Sequence, residues 1–139
     1  MELVDFIKKY NGKKVDYDGV FGAQCVDLFR QYCHDVLCIP EHTGICGTSG
    51  GAKDLFLDYL KMEKEKKYFK RYFNGKKTMN IGDVLVWNST DENIYGHVAI
   101  LIGKLDDDLI VFEQNGYKQN GAQINIRSKE NLLGFLRKK

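Results

Sequence analysis

A chain of 139 residues, 43% hydrophobic and 29% charged, is the size of one domain and can bury a core without disulfide staples. Its net charge of +2 singles out no class of strongly charged partner. No apolar run is long enough for a membrane-crossing helix, and the opening MELVDFIKKYNGKK lacks the apolar stretch of a secretory signal, so synthesis in a cytoplasm is expected.

Leu3, Val4, Ile7 and Tyr10 recur at helical spacing and predict a helix over residues 2–10, stopped by Gly12. A turn-rich loop follows, and from Cys25 a second helical stripe runs through Phe29, Tyr32, Cys33 and Val36 until Pro40 closes it. After a second loop, Ala52, Leu55, Phe56, Tyr59 and Leu60 predict a third helix. The register then changes. GDVLVWN, GHVAILIG, DLIVFEQNG and AQINIR are short, β-branched or aromatic, and bounded by turn residues, and LGFLRKK is a candidate last strand. Helices first and a meander afterwards predict an α+β domain over 1–139, with the helices packed on one face of an antiparallel sheet of about five or six strands.

The four cysteines, Cys25, Cys33, Cys38 and Cys46, are expected to be free thiols, since nothing places the chain in an oxidising compartment. His34 and His42 lie among them, but the spacing is poor for zinc. Cys25 differs from the rest because it stands where a loop becomes a helix. Free N–H groups and the macrodipole make that end electropositive, which favours a thiolate and hence a nucleophile. A buried, inert cysteine is the alternative.

A nucleophilic thiol needs a base. His97 opens the strand HVAILIG, and the following strand returns through a short polar turn. Antiparallel pairing of Gly103 with Asp107 sets His97 opposite Glu113, and a two-residue slip sets it opposite Asn115. Either register leaves all three side chains on one face, whereas a slip of one scatters them. A carboxylate or amide there would fix the imidazole tautomer and support the imidazolium.

DYDGVFGAQCVDL, NIGDVLVW, GHVAILIG and VFEQN together resemble the CHAP family, the cysteine- and histidine-dependent amidohydrolases and peptidases, from about Asn11 to the C-terminus. The resemblance implies a papain-like fold and a peptidoglycan hydrolase of the kind found in phage lysins and bacterial autolysins. It casts Cys25 as nucleophile, His97 as general base and acid, Glu113 as orienter and Asn115 as an auxiliary polar group. The Cys25 N–H, free at the helix start, is an expected oxyanion donor. Gln24 is a second candidate donor or a plain loop residue, and Trp87 either lines the substrate groove or packs in the core.

Asp16, Asp18 and Asp27 fall at positions one, three and twelve of a twelve-residue window, the outer ligand spacing of an EF-hand loop. Phe21 replaces the glycine that loop requires, and Asp27 its longer glutamate, so a true EF-hand is not expected. Members of the CHAP family hold calcium here, and the resemblance implies a structural ion, with Val20 and Gly22 offering carbonyls. The alternative is a turn at Asp18-Gly19 and a first-turn helix acid at Asp27. Asp83 reads as a turn acid.

The run KMEKEKKYFKRYFNGKK, Lys61 to Lys77, reads as a solvated helix face with its aromatics in the core. A nucleic-acid surface and an attraction to anionic wall polymers are the competing readings. The expected partner is bacterial peptidoglycan, with no nucleic acid, no membrane and a monomeric state. No separate wall-binding domain is read in these residues. Action on the wall would follow release from a host cell, or delivery as a virion component.

Overall fold

The computed structural model describes residues 1–19, 22–40, 51–115 and 121–139. Helices α1 (Leu3–Tyr10), α2 (Cys25–Asp35), α3 (Asp54–Leu57) and α4 (Glu63–Tyr68) come first, with a 3-10 turn at Tyr59–Lys61. Strands β1 (Phe69–Phe73), β2 (Val84–Trp87), β3 (His97–Leu105), β4 (Asp108–Gln114), β5 (Ala122–Arg127) and β6 (Leu132–Lys138) follow. They form one antiparallel sheet in the order β1-β6-β2-β3-β4-β5. The α+β expectation of helices against an antiparallel sheet is met, and the strand count is six. No helix among the described residues is long and apolar enough to cross a membrane.

Period-2 burial runs through β2, β3, β4 and β6, so these strands feed two cores. Val84, Val86, Val98, Ile100, Phe112 and Leu136 face α1 and α2, where Phe6, Phe29 and Tyr32 meet them. The Phe6 ring stands edge-on to Tyr32 at 5.7 Å and to Phe112 at 6.0 Å. Leu85, Trp87, Ala99, Leu101, Leu109, Val111 and Phe135 form the second cluster on the opposite face, backed by Tyr72 and Met79.

Three local expectations are corrected. In α1 the buried residue is Phe6, while Val4 is 56% exposed, because the helix presents the Leu3–Phe6–Ile7–Tyr10 side to the sheet. The third helix breaks after one turn into the 3-10 turn, which leaves Leu60 68% exposed and off the buried face. The Lys61–Lys77 run is not one helix face. It divides into α4, then β1, which pairs from Phe69↔Lys138 to Phe73↔Gly134, then a turn. The ladder offered by β6 overrides the helical lysine–glutamate pattern beyond Tyr68.

Candidate active site

The loop leading into α2 is pinned by β4. The Gln114 side chain is fully buried; its Nε2 donates to the carbonyls of Val15 at 2.7 Å and Gln24 at 2.8 Å, and its Oε1 accepts from Val15 N–H at 2.7 Å. Asn115 Nδ2 donates to the Ala23 carbonyl. Asp27, in the first turn of α2, accepts from Gln24 N–H at 2.9 Å and closes the helix start. The helix therefore begins at Cys25 with its N-terminus fixed against the ends of β3 and β4. The Cys25 N–H lies in the first turn, where no intrahelical carbonyl reaches it.

His97 arrives from the other side. Gly96 before it takes φ +74°, and a Cβ there would stand 2.5 Å from the Trp87 carbonyl, so only glycine lets the chain enter β3 at this point. In β3, Ile100 pairs with Phe112 and Leu101 with Val111, but Gly103 pairs with Ile110, so Ile102 is a β-bulge. Carried to the strand start, the upper register sets His97 across from Asn115 and diagonal to Glu113. This is the two-residue slip of the expected register, and it preserves the shared face.

The geometry follows from that parity. His97, only 5% exposed, donates from Nε2 to Glu113 Oε1 at 2.9 Å. Cys25 and His97 border one recess, and with Nε2 bound to Glu113 it is Nδ1 that is left to serve the thiol. Burial by itself lowers the His97 pKa; the bonds and charges of Cys25 and Glu113 outweigh it and raise the value from 6.5 to about 9. Burial likewise pushes Glu113 up, but His97 and Arg127 prevail and hold it down from 4.5 to about 2. His97 is thus an imidazolium and Glu113 a carboxylate at neutral pH.

Two residues of this constellation were not anticipated. Asn125 Nδ2 donates to Glu113 Oε2 at 2.9 Å, and Arg127 Nε donates to Glu113 Oε1. The Arg127 guanidinium lies 5.5 Å from the Trp87 ring centre, and Trp87 in turn packs against His97 with ring centres 6.0 Å apart. Asn125 and Arg127 alternate along β5, and the same parity that selects Glu113 selects them.

Two recesses meet at His97. One of about 460 Å³ contains Gln24, Cys25, Val26, Gly51, Ala52 and Tyr95, and among the described residues His97 is its one charged group. The other, about 530 Å³, contains Trp87, Thr90, Glu92, Arg127, Ser128 and Glu130. Asn93, Gly96, His97 and Asn115 border both. Gln24 therefore lines the cysteine side, whereas Trp87 lines the far half of the cleft and not the recess of Cys25.

Asp16, Asp18 and Asp27 come together on the loop before α2, with one carboxylate oxygen of each within 4.8 Å of the others. Asp27 is buried, and its Oδ1 has no hydrogen-bond partner among the described residues. Burial is the main cause that pushes its carboxyl pKa up; the Gln24 N–H opposes it, and the Asp18 charge adds to it. Arg30 Nη1 approaches Asp18 at 2.8 Å and that orphaned oxygen at 3.5 Å. The three carboxylates and the orphaned oxygen fit a hard cation such as calcium. Gly22 is exposed, and Val20 lies outside the described residues.

Elsewhere, Asp83 is more than a turn acid: it accepts from Asn80 N–H at 2.6 Å and is bound through both oxygens by Arg137. Cys25, Cys33 and Cys38 are free thiols. Cys33 is buried as expected, but Cys38 is exposed, because the chain turns there with φ 55° beyond the end of α2. Cys46 and His42 lie outside the described residues. His34 is exposed and pairs with Asp35 at 2.9 Å.

The CHAP domain family model matches residues 13–115. A D-alanyl-L-alanine endopeptidase of Streptococcus phage B30 is 32% identical over 97 residues, covering 69% of this chain and 20% of that protein. The endolysin PlyTW of Staphylococcus phage Twort is 30% identical over 144 residues, covering 95% of this chain and 28% of that protein. Among solved structures, the wild-type endolysin LysIME-EF1 superposes with a TM-score of 0.70 at 22% identity, over 99% of this chain and 64% of that one. Ly7917 superposes with a TM-score of 0.64 at 15% identity, over 99% of this chain and 61% of that one. The chain spans less than a third of the curated relatives it matches.

Proposed function

The chain belongs to the CHAP domain family, and on that premise we propose that it is a peptidoglycan hydrolase that cuts a peptide or amide bond of the wall stem peptide by thiol catalysis. The observation that carries the reading is the hydrogen-bonded pair His97–Glu113 beside Cys25, in a cleft that opens on both sides of His97.

Cys25, as the thiolate of a thiolate–imidazolium pair with His97, attacks the carbonyl carbon. The developing oxyanion is met by the Cys25 N–H, with the Gln24 side chain as a second donor. His97 then gives the proton to the departing amine, and a thioester remains on Cys25. A water, deprotonated by the now neutral His97, attacks the thioester; the C–S bond breaks, and the thiolate–imidazolium pair is restored. Glu113 stays ionised throughout and supports each imidazolium.

Calcium, when bound, neutralises the carboxylates of Asp16, Asp18 and Asp27 and orders the loop that ends at Cys25. The chain acts as a monomer on a wall reached after phage-mediated release.

Purified walls test the reading. Wild type clears their turbidity and releases fragments whose new amino termini, read by mass spectrometry, identify the bond. Cys25→Ala folds with an unchanged melting temperature and releases none. Undiminished release by Cys25→Ala would overturn the proposal.

A further inference from the structure

Outside the cleft the most charged concavity is a recess of about 410 Å³ between the β1–β2 connection, the end of β3 and the β5–β6 turn. Lys76 and Lys77 enter it from the first, Lys104 from the second and Lys129 from the third. Among the described residues no acidic and no aromatic one lines it; the remainder is Asn74, Gly75, Thr78 and Met79. All four lysines are exposed, and none has an ion-pair partner among the described residues. Four ammonium groups around one hollow repel one another unless an anion sits between them.

We propose that this recess binds a repeating phosphodiester chain, the anionic polymer of a bacterial wall. Several cationic arms around an open trough suit a flexible polyanion better than a single compact anion, which would be held by fixed backbone donors. Lys77 lies over the Tyr72 ring, 5.4 Å from its centre, but no described residue lining the recess is aromatic, which leaves the bases of a nucleic acid little to stack on. Position gives the site a use. Ser128, Glu130 and Asn131 of the β5–β6 turn line the cleft, while Lys129 of the same turn lines the recess, so the two lie back to back. A polymer held at Lys129 keeps the cleft against the wall that bears it. The choice of a wall phosphodiester rests on the function proposed above; the preference for a polyanion does not.

The test is sedimentation with purified walls, in a Cys25→Ala background so that binding is read without digestion. Walls carrying their phosphodiester polymer should retain the chain, and walls chemically stripped of it should retain about tenfold less. Binding should weaken with salt with a log–log slope set by roughly three to four released counterions. Changing Lys76, Lys77, Lys104 and Lys129 together to Gln should abolish the difference between the two walls, while changing all four to Arg preserves it. The Gln variant, made with Cys25 intact, should cleave a short soluble stem peptide at the wild-type rate. Equal retention on both walls, or full retention of the Gln variant, would refute the proposal. Tighter binding of single-stranded DNA than of the wall polymer would reassign the recess to nucleic acid. Absence of peptide cleavage by the wild type would count against the hydrolase reading and leave the binding result intact.

Discussion

His97 and Glu113 lie diagonally across the β3–β4 ladder, with Nε2 2.9 Å from Oε1, and the bulge at Ile102 is what gives them a common face. Near the turn, Leu105 pairs with Asp108 and Gly103 with Ile110. Continued without interruption, that odd register would turn His97 away from Glu113. Ile102 and Gly103 both occupy the helix side of the sheet, and alternation resumes at Leu101 with the correct parity. Two single-residue deletions should therefore differ sharply. Removing Ile102 leaves the upper pairs as they are, and wall hydrolysis should fall by no more than about tenfold. Removing Ala99 rotates His97 to the opposite face and should abolish it. Similar losses in both, with both chains folded by circular dichroism, would show that the bulge does not set the site.

The protonation of the pair sets a pH window. His97 is raised from 6.5 to about 9, so the stability it contributes is fully present below 6.5 and is lost as pH climbs through about 9. Glu113 is lowered from 4.5 to about 2, so its contribution is present above 4.5 and disappears as pH falls through about 2. Activity should fall on the alkaline side near 9, where the proton for the leaving amine is lost. Trp87, the one tryptophan, stands 6.0 Å from the His97 ring and reports its charge by fluorescence. Glu113→Gln should move the fluorescence midpoint and the alkaline limb of activity down together. A wild-type midpoint near 6.5 would contradict the coupling.

Much of this was legible because parity is a local rule. Cys25 at a helix start and His97, Glu113 and Asn115 on one strand face follow from spacing alone, and the bulge altered the register by an even step. β1 was hidden because FKRYF follows an uninterrupted lysine–glutamate run and becomes a strand only when β6 returns to pair with it. β5 hid its function for another reason. Alternation in AQINIR is plain, but its polarity is inverted: Ile124 and Ile126 are 48% and 50% exposed, and Asn125 and Arg127 turn inward to a buried carboxylate. A polar-outward reading of that strand places Arg127 in water.

Arg127 and Asn125 act on the reaction through Glu113: Arg127 shares Oε1 with His97, and Asn125 holds Oε2. Losing Arg127 leaves a buried carboxylate with one fewer counter-charge, a change that costs about 3–5 kcal/mol when a buried pair is broken. Arg127→Ala should lower the melting temperature and also raise the pH of the acid limb of activity, because Glu113 protonates more readily. Arg127→Lys should recover the acid limb in part, since it restores the charge without the guanidinium fork. Asn125→Ala should lower kcat with little change in KM. A melting-temperature change with no movement of the pH profile would reduce Arg127 to a packing role.

The carboxylates of Asp16, Asp18 and Asp27 supply the last prediction. Asp27 Oδ1 is buried without a hydrogen bond, and Arg30 stands 3.5 Å from it, too far to satisfy it. A calcium ion bound by the folded chain alone should raise the melting temperature with concentration, by mass action, and chelation should reverse the shift. Asp18→Ala and Asp27→Asn should each remove the response to calcium. The loop is tied to Cys25 through Gln24, so chelated wild type should lose wall hydrolysis in parallel and regain it on adding calcium. Arg30→Ala gives the decisive comparison. If the ion is the counter-charge, calcium still stabilises that variant; if the guanidinium is, the variant melts lower and no metal restores it. Terbium luminescence sensitised by Tyr17 measures binding without reference to activity, and its absence would leave Arg30 as the partner of these acids.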